Sequence, residues 1–502
     1  MFQVFLGAWD IFFAQVGGSI AGRGFLIIRG EGCMLTYDFR GADVPMYRFI
    51  YERVRDDIVS GRLSTGERLP SKRALAKNLG VSTITVESAY DQLISEGYVF
   101  AIEKRGYFVA QIPERVSVAH SSIPRALGKV VLPEQNPPCA FDFSSGIMDS
   151  RNFPFSVWAK LMRGVLSGRG QDLLRMPVCS GAIELRRAIA GHLSSFRGME
   201  VDPDQIIVGA GTEYLYGLLI KLLGRDKIYC VENPGYRKIK QIYEANGIQC
   251  RDVDIGADGI SAQSLRECGG QIAHISPNHH FPTGITMPIG RRYEILEWAF
   301  EDEGRFIIED DYDSEFRLNG KPVPPLQSID SRGKVIYMNT FSKSLASTIR
   351  ISYMVLPVQL ANEFYRTLSF YSCTVPTFEQ YTLAEFISRG FFEKHINRMR
   401  LQYGRKRRRI IESVRSIFGE DECAIIKNDS GLHFLLEFRT ALSDSEVESL
   451  LLSRGIRIRA VSDYRLSGKS EREHLFILAY SNIDMKSLDD ALRTVRNALF
   501  GG

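Results

Sequence analysis

The sequence predicts a multidomain protein: a small helix-rich unit, then a large α/β domain. Three observations carry that expectation. Residues 44–110 place apolar side chains at helical spacing and end in two short strand-like runs. Residues 111–140 are polar and hold Pro113, Pro124, Pro133, Pro137 and Pro138, which reads as a linker because proline resists helix and sheet interiors. From 141 to 502, short apolar runs alternate with amphipathic helices, the pattern of a mainly parallel sheet sandwiched by helices. A chain of 502 residues, 44% hydrophobic, is long enough for more than one core.

Composition excludes little by itself. The formal charge of +4 is too small to argue for nucleic acid, so a DNA role must rest on a local motif. Eight scattered cysteines without a CxxC pair argue against a zinc site or a disulfide framework and fit a reducing cytoplasm. The apolar run Phe2–Phe13 is interrupted by Asp10, lacks a positive flank and is too short to span a bilayer. Residues 1–43 are therefore expected to be a disordered or non-native extension, with a natural start near Met34, and no membrane is expected as a partner.

Within 44–110, Tyr47, Ile50, Tyr51, Val54 and Ile58 define a first amphipathic helix that Gly61 ends. Pro70 and Ser71 open a second, with Leu75 and Leu79 inward. Gly80 makes a tight turn, and Ser82 caps a third helix that buries Val86, Ala89, Tyr90 and Leu93. Two short helices joined through glycine form a helix-turn-helix pattern. Tyr98–Ile102 and Tyr107–Ala110 then read as strands around a wing at Glu103–Gly106. Ser82, Thr83 and Thr85 stand at the front of the second motif helix, where side chains meet base edges in the major groove. Arg68, Ser71 and Arg73 are candidates for phosphate contacts, and Lys104, Arg105 and Gly106 for the flanking backbone or minor groove. The plain alternative is a helical bundle with solvated charges. Ten Lys/Arg against eight Asp/Glu in residues 45–110 give charge little weight, so the turn pattern carries the reading.

In the large domain, strands are expected at Gln205–Val208, Lys227–Val231, Ile272–Ser276, Arg305–Glu309 and Lys334–Asn339. KVIYMNTFSKSLASTIRISY runs a buried-type strand into a hydroxyl-rich turn. Lys343 there has Thr340 and Ser342 before it and Arg350 after it, groups that suit a phosphate dianion beside an imine. RFIIEDDYDSEFRL delivers Glu309, Asp310, Asp311 and Tyr312 to a strand's C-terminal end, where open α/β sheets keep ligands. A metal site or an acidic turn is the alternative, but no histidine is suitably spaced beside these acids. GAGTEYLYGLLIKLL offers the Gly211–Thr212 helix start as a phosphate site. VENPGYRKIK places Tyr236 after a strand and turn, where a ring can stack or simply pack. The basic run Arg398–Arg409 reads as a solvated helix face rather than a DNA contact.

The stretch Tyr47–Val109, with LPSKRALAKNLGVS, TVESAYDQLISEGY and GYFV, resembles the GntR-type winged helix-turn-helix. From Phe141 to about Phe500 the chain is similar to the fold-type I (aspartate aminotransferase-like) transferases that depend on pyridoxal 5′-phosphate (PLP). Together, with ENPGY, IIEDDYDSEF, NTFSKSLASTIRISY and GLHF, they resemble the MocR/GabR-like regulators. The resemblance implies that Lys343 forms the Schiff base and Asp310 pairs with the pyridine nitrogen. It implies that Tyr312 meets the ring hydroxyl, Tyr236 stacks on the ring, and Thr212, Ser342 and Arg350 hold the phosphate. Arg465 stands where the family binds an effector carboxylate, and Lys238 where a GABA-responsive relative has arginine. The chain departs from the pattern at Thr83 (often Arg), Glu213 (often Gln) and His280 (often Gln). Asn278 and His279 are further candidates for the ring hydroxyl.

The implied function is a homodimeric regulator of an operator in double-stranded DNA. It would sense an amino compound, or PLP itself, through aldimine chemistry at Lys343, with little or no turnover. The alternative is an active aminotransferase carrying a DNA-binding module.

Overall fold

The computed structural model describes residues 35–37, 44–112, 132, 139–144, 146, 148–318, 323–426, 431–468 and 473–501. The chain divides into two compact units, Met1–Glu134 and Gln135–Gly502. Most of the expected extension and nearly all of the expected linker lie outside the described residues.

The first unit runs α1 (Met46–Val59), β1 (Arg68–Leu69), α2 (Lys72–Leu79), α3 (Thr83–Ser95), β2 (Val99–Ile102) and β3 (Gly106–Val109). Its core is the set that periodicity singles out: Ile50, Tyr51, Val54, Ile58, Leu75, Leu79, Val86, Ala89, Tyr90 and Leu93 are all buried. Tyr47 is the exception at 40% exposure, because it lies at the N-terminal edge of the apolar stripe. Gly80 takes φ +68°, a left-handed value that only glycine adopts cheaply, and so turns α2 into α3. The three strands pair β1-β3-β2, all antiparallel, and β1 is a strand the sequence does not announce. The unit also begins earlier than residue 44. Leu35 is buried in its core, Asn78 Nδ2 donates to the Leu35 carbonyl at 2.8 Å, and the Tyr37 hydroxyl donates to Asp57 at 2.8 Å.

The second unit opens with β4 (Phe141–Asp142), α4 (Phe155–Arg169) and α5 (Ile183–Arg197). There follow β5 (Ile206–Gly209), α6 (Thr212–Leu223), β6 (Ile228–Asn233), α7 (Arg237–Ala245), β7 (Gln249–Asp254), α8 (Ala262–Glu267), β8 (Ile272–Ile275), α9 (Ile289–Phe300), β9 (Phe306–Asp310), β10 (Val335–Thr340) and β11 (Ser352–Val355). The seven strands β5 to β11 form one sheet of order β5-β11-β10-β9-β8-β6-β7. β11 alone runs antiparallel to its neighbours. The five anticipated strands are present within a residue or two. Alternate side chains of β9 serve opposite faces, Ile308 in the core with α6 and Ile307 in the core with α8 and α9.

After α10 (Val358–Leu368) and α11 (Thr377–Ser388), the 27-residue α12 (Phe391–Ile417) leads to β12 (Cys423–Ile426), β13 (His433–Phe438), α13 (Asp444–Ser453), β14 (Ile456–Arg457), β15 (Arg459–Ala460), β16 (Leu475–Ala479) and α14 (Leu488–Phe500). These strands form a second sheet, β12-β13-β16-β15, while β14 pairs in parallel with β4. The basic run on α12 is not wholly a solvated face. Lys406 is buried and donates to the carbonyls of Ser481 and Ile483. No helix among the described residues is long and apolar enough to cross a membrane.

Candidate functional site

The candidate nucleic-acid surface is built on the ends of α2 and α3. Ser71 and Ser82 are N-caps: their hydroxyls accept the N–H groups of Ala74 at 3.2 Å and Thr85 at 3.1 Å. Ser82 and Thr85 also join Oγ to Oγ1 at 2.7 Å. Both hydroxyls are thus engaged with the helix end, in keeping with the capping role expected of Ser82, and they stand with Thr83 at the front of α3. Thr83 stays exposed, and beside it Ile84 is 73% exposed, an apolar contact that the polar reading passed over. The Arg68 guanidinium lies against Gly106, where a Cβ would stand 3.3 Å from its Nε. Arg68 therefore belongs to the wing rather than to the start of α2. Arg68, Arg73 and Arg105 are exposed and have no carboxylate partner among the described residues. Lys104, at φ +59°, forms the tip of the wing. Lys72 is the contrasting cation. It pairs with Glu87 at 2.9 Å and sits over the Tyr107 ring, bracing α2 against α3 and β3.

In the second unit, β9 ends at Asp310. Its Oδ2 accepts the Tyr216 hydroxyl at 2.8 Å and lies 3.6 Å from His274 Nε2. Its Oδ1 is sealed from solvent with no hydrogen-bond partner. A buried carboxylate oxygen without a donor is costly, and its chemistry fits a pyridinium N–H. The neighbouring acids are used otherwise. Glu309 accepts the N–H groups of Leu326 at 2.8 Å and Gln327 at 3.0 Å. Asp311 takes Arg197 at 2.7 Å, the Tyr337 hydroxyl at 2.6 Å and Asn278 at 2.8 Å. Asp310 does not join the other two, and among the described residues no cluster could hold a metal ion. Asn278 also donates to Glu309 and accepts from Arg292, so both its N–H groups are committed inside this network. That corrects its candidacy for a ring hydroxyl.

A candidate phosphate cradle lies at the start of α6. Gly211 has φ +92°, and a Cβ there would fall 2.2 Å from Arg350 Nη2, so only glycine admits the guanidinium. Ser342 Oγ is buried without a partner. Thr340 instead turns its hydroxyl inward, accepting the N–H of Ser342 at 3.1 Å and the hydroxyl of Ser352 at 2.8 Å. It shapes the turn and is not a free phosphate donor, contrary to expectation. Thr212 begins α6, one turn ahead of Tyr216. Its backbone N–H remains at the helix start, and Tyr216 links this end to Asp310. Glu213 intrudes on the cradle. It forms a short contact with Lys238 Nζ and lies 3.7 Å from Arg350. The Lys238 ammonium beside it holds its carboxyl below the usual range.

Lys343 is half-buried, its Nζ donating to the Gly146 carbonyl at 3.0 Å. Desolvation lowers its pKa, opposed by the charge of Asp313. Asp313 also holds His279 Nδ1 at 2.9 Å, and the Tyr312 hydroxyl lies 3.1 Å from the same nitrogen. Rings then lead from Tyr312 through His279, His433 and Phe281 to Tyr236, with centroids 5.9, 4.8, 5.4 and 6.1 Å apart. Burial pushes the pKa of His433 down to about 3, so it is neutral at pH 7. Tyr236 is 51% exposed and meets Phe281 edge-on. Arg465 is held by Glu473 through a short contact. Tyr216, His274, Asp313 and His433 were not singled out from sequence, although Tyr216, Asp313 and His433 stand in the quoted stretches GAGTEYLYGLLIKLL, IIEDDYDSEF and GLHF.

The fold and these two surfaces define a class of protein: a DNA-reader fold joined in one chain to an aminotransferase-type domain. Residues 46–109 match the family described as bacterial regulatory proteins, gntR family, and residues 140–495 match aminotransferase class I and II. The chain is 38% identical over 423 residues to the HTH-type transcriptional regulator YdeL of Bacillus subtilis, covering 84% of this chain and 90% of that one. It is 33% identical to the probable rhizopine catabolism regulatory protein MocR of Rhizobium meliloti, covering 93% and 96%. Identity is 29% to the pyridoxine biosynthesis transcriptional regulator PdxR of Corynebacterium glutamicum, covering 89% and 94%. Among solved structures, an archaeal alanine:glyoxylate aminotransferase overlays with TM-score 0.64 at 21% identity, covering 75% of this chain and 93% of that one. The chain belongs to the MocR/GabR-like subfamily of GntR-type transcription regulators, with an aminotransferase class I and II domain.

Proposed function

We propose that this chain is a PLP-dependent DNA-binding regulator that senses an amino compound, or PLP itself, at the site around Lys343. The observation that carries this reading is the buried, unpartnered Oδ1 of Asp310 at the C-terminal end of β9. Asp310 would hold the pyridine nitrogen and keep it protonated. Arg350, Ser342 and the N-terminus of α6 would take the phosphate, with Gly211 leaving room for the guanidinium. Tyr236 would cover the ring, and Tyr312, steadied by His279 and Asp313, would meet the ring hydroxyl. When bound, PLP supplies an aldehyde that condenses reversibly with amines. Lys343 offers the chain's own amine there, and its lowered pKa raises the fraction that is uncharged and nucleophilic. A shift in DNA affinity requires the ligand to bind two conformations unequally.

The pairing of Arg465 with Glu473 and of Lys238 with Glu213 favours PLP itself as the effector. Both cations expected to take an effector carboxylate are already matched. The name of the pyridoxine biosynthesis relative supports the same reading. Dimerisation is proposed across the apolar residues Phe155, Leu166, Leu174, Met176, Phe370 and Phe378, each more than 40% exposed. The deciding experiment measures operator-fragment binding by apo protein, with PLP, and with PLP plus a panel of amino acids, while following keto-acid release. A response to PLP alone identifies a PLP sensor, and a further response to one amino acid identifies that effector. Rapid keto-acid turnover with unchanged DNA binding would overturn the regulator reading in favour of an aminotransferase. Light scattering of the full chain reports the dimer.

A further inference from the structure

Two cysteines far apart in sequence meet outside the site just described. Cys230 lies in β6, and Cys268 is the residue that ends α8. Their Sγ atoms are 3.2 Å apart. Gly270 makes the approach possible, since a Cβ there would stand 2.5 Å from Cys230 Sγ and 3.5 Å from Cys268 Sγ. The two sulfurs differ in surroundings. Cys230 is fully buried among Leu265, Ala273 and Ile295, whereas Cys268 is half-buried. Arg251 reaches from β7 to the Cys268 carbonyl and places a cation beside its sulfur. A disulfide needs sulfurs about 2.05 Å apart, so bond formation asks for a movement of roughly 1.2 Å.

We propose that Cys268 and Cys230 form a reversible oxidation site for hydroperoxides, with Cys268 as the attacking thiolate and Cys230 as the resolving thiol. The Cys230 thiol and the Arg251 guanidinium favour the Cys268 thiolate and draw its pKa below the usual thiol value. In the first step the Cys268 sulfur attacks the terminal peroxide oxygen. The O–O bond breaks, the alcohol or water leaves with a proton, and Cys268 becomes a sulfenic acid while the peroxide is reduced. In the second step the Cys230 sulfur attacks Cys268. The S–S bond forms, the S–O bond breaks, and the hydroxide leaves as water with the Cys230 proton. A thiol reductant reverses the oxidation.

The test treats full-length protein with stoichiometric hydrogen peroxide, blocks free thiols, and maps peptides by mass. A linked pair containing Cys230 and Cys268, lost after dithiothreitol, is expected, and Cys268 should be oxidised about tenfold faster than Cys179. Cys268→Ser should abolish the link. Cys230→Ala, which suits the apolar pocket better than serine, should leave a Cys268 sulfenic acid that dimedone traps. An unchanged circular dichroism spectrum shows that each variant is folded. If folded protein gives no Cys230–Cys268 peptide, or if dimedone labels Cys268 equally in wild type and Cys230→Ala, the proposal fails.

Discussion

The reader and the large domain solve recognition in opposite ways. In the reader, Arg68, Arg73 and Arg105 are long, exposed and without carboxylate partners among the described residues, and the hydroxyls of Ser71 and Ser82 hold helix ends in shape. In the large domain charges are matched and sheltered, as in Arg197–Asp311, and a few buried atoms such as Asp310 Oδ1 and Ser342 Oγ are left unsatisfied, the atoms proposed to take the ligand. The difference suits the two proposed ligands. A phosphate backbone is met in water, where cations gain by releasing counterions. A small ring is met in a dry cleft, where one unpaired acceptor discriminates strongly.

The sharpest break between the regions is expected from Lys343→Ala. It should abolish the visible absorbance of linked PLP while leaving operator binding by the apo protein unchanged. Persistence of that absorbance would reject Lys343. Next comes Glu232, whose pKa burial raises to about 8 from an ordinary 4.5. The folded state keeps a proton that the unfolded chain loses between those values, so stability falls as pH rises through this window and levels off above it. Glu232→Gln keeps an oxygen acceptor for Ser276 N–H and removes that slope. Its advantage over wild type should grow by about 1.4 kcal/mol per pH unit from pH 5 to 8, read from denaturant midpoints.

Asp310→Ala should weaken PLP on the order of 10–100-fold in equilibrium titration, the worth of one charged hydrogen bond. Arg73→Ala should weaken operator and non-specific DNA alike and lower the salt slope of binding by about one. A change confined to one operator sequence would instead make Arg73 a base reader. The smallest effect is expected from Glu213→Gln. Removing the carboxylate that approaches Arg350 should tighten PLP by a few-fold, and weaker binding would show that Glu213 helps the cradle.

What the sequence disclosed depended on how local the cause was. Gly80, Ser82 and Asp310 could be read because a turn, a cap and a strand end are each written in a few consecutive residues. The five anticipated strands stood out for the same reason, being runs of apolar residues. Tyr216 and His274 on Asp310 Oδ2, and Glu473 on Arg465, were hidden because each partner comes from a different segment and shows no spacing of its own. Leu35 was set aside with the glycine-rich extension, although its side chain completes the reader core. Thr340 and Asn278 misled because residue type reveals polarity but not which way a hydroxyl or amide is already committed.

Glu309, Asp310 and Asp311 follow one another in the chain, yet they occupy two separate chemical settings, Glu309 and Asp311 sharing Asn278 while Asp310 meets Tyr216. The pleat sends Glu309 and Asp311 to one face and Asp310 to the other. Identity here is therefore conferred by registration, not by residue type, since all three are acids. Sliding β9 by a single position against β10 would hand the partner of Arg197 to the Tyr216 side and bury Asp310 against a guanidinium. A one-residue insertion or deletion upstream in β9 should thus be more harmful to the site than many substitutions within it, even where composition and hydrophobicity are preserved.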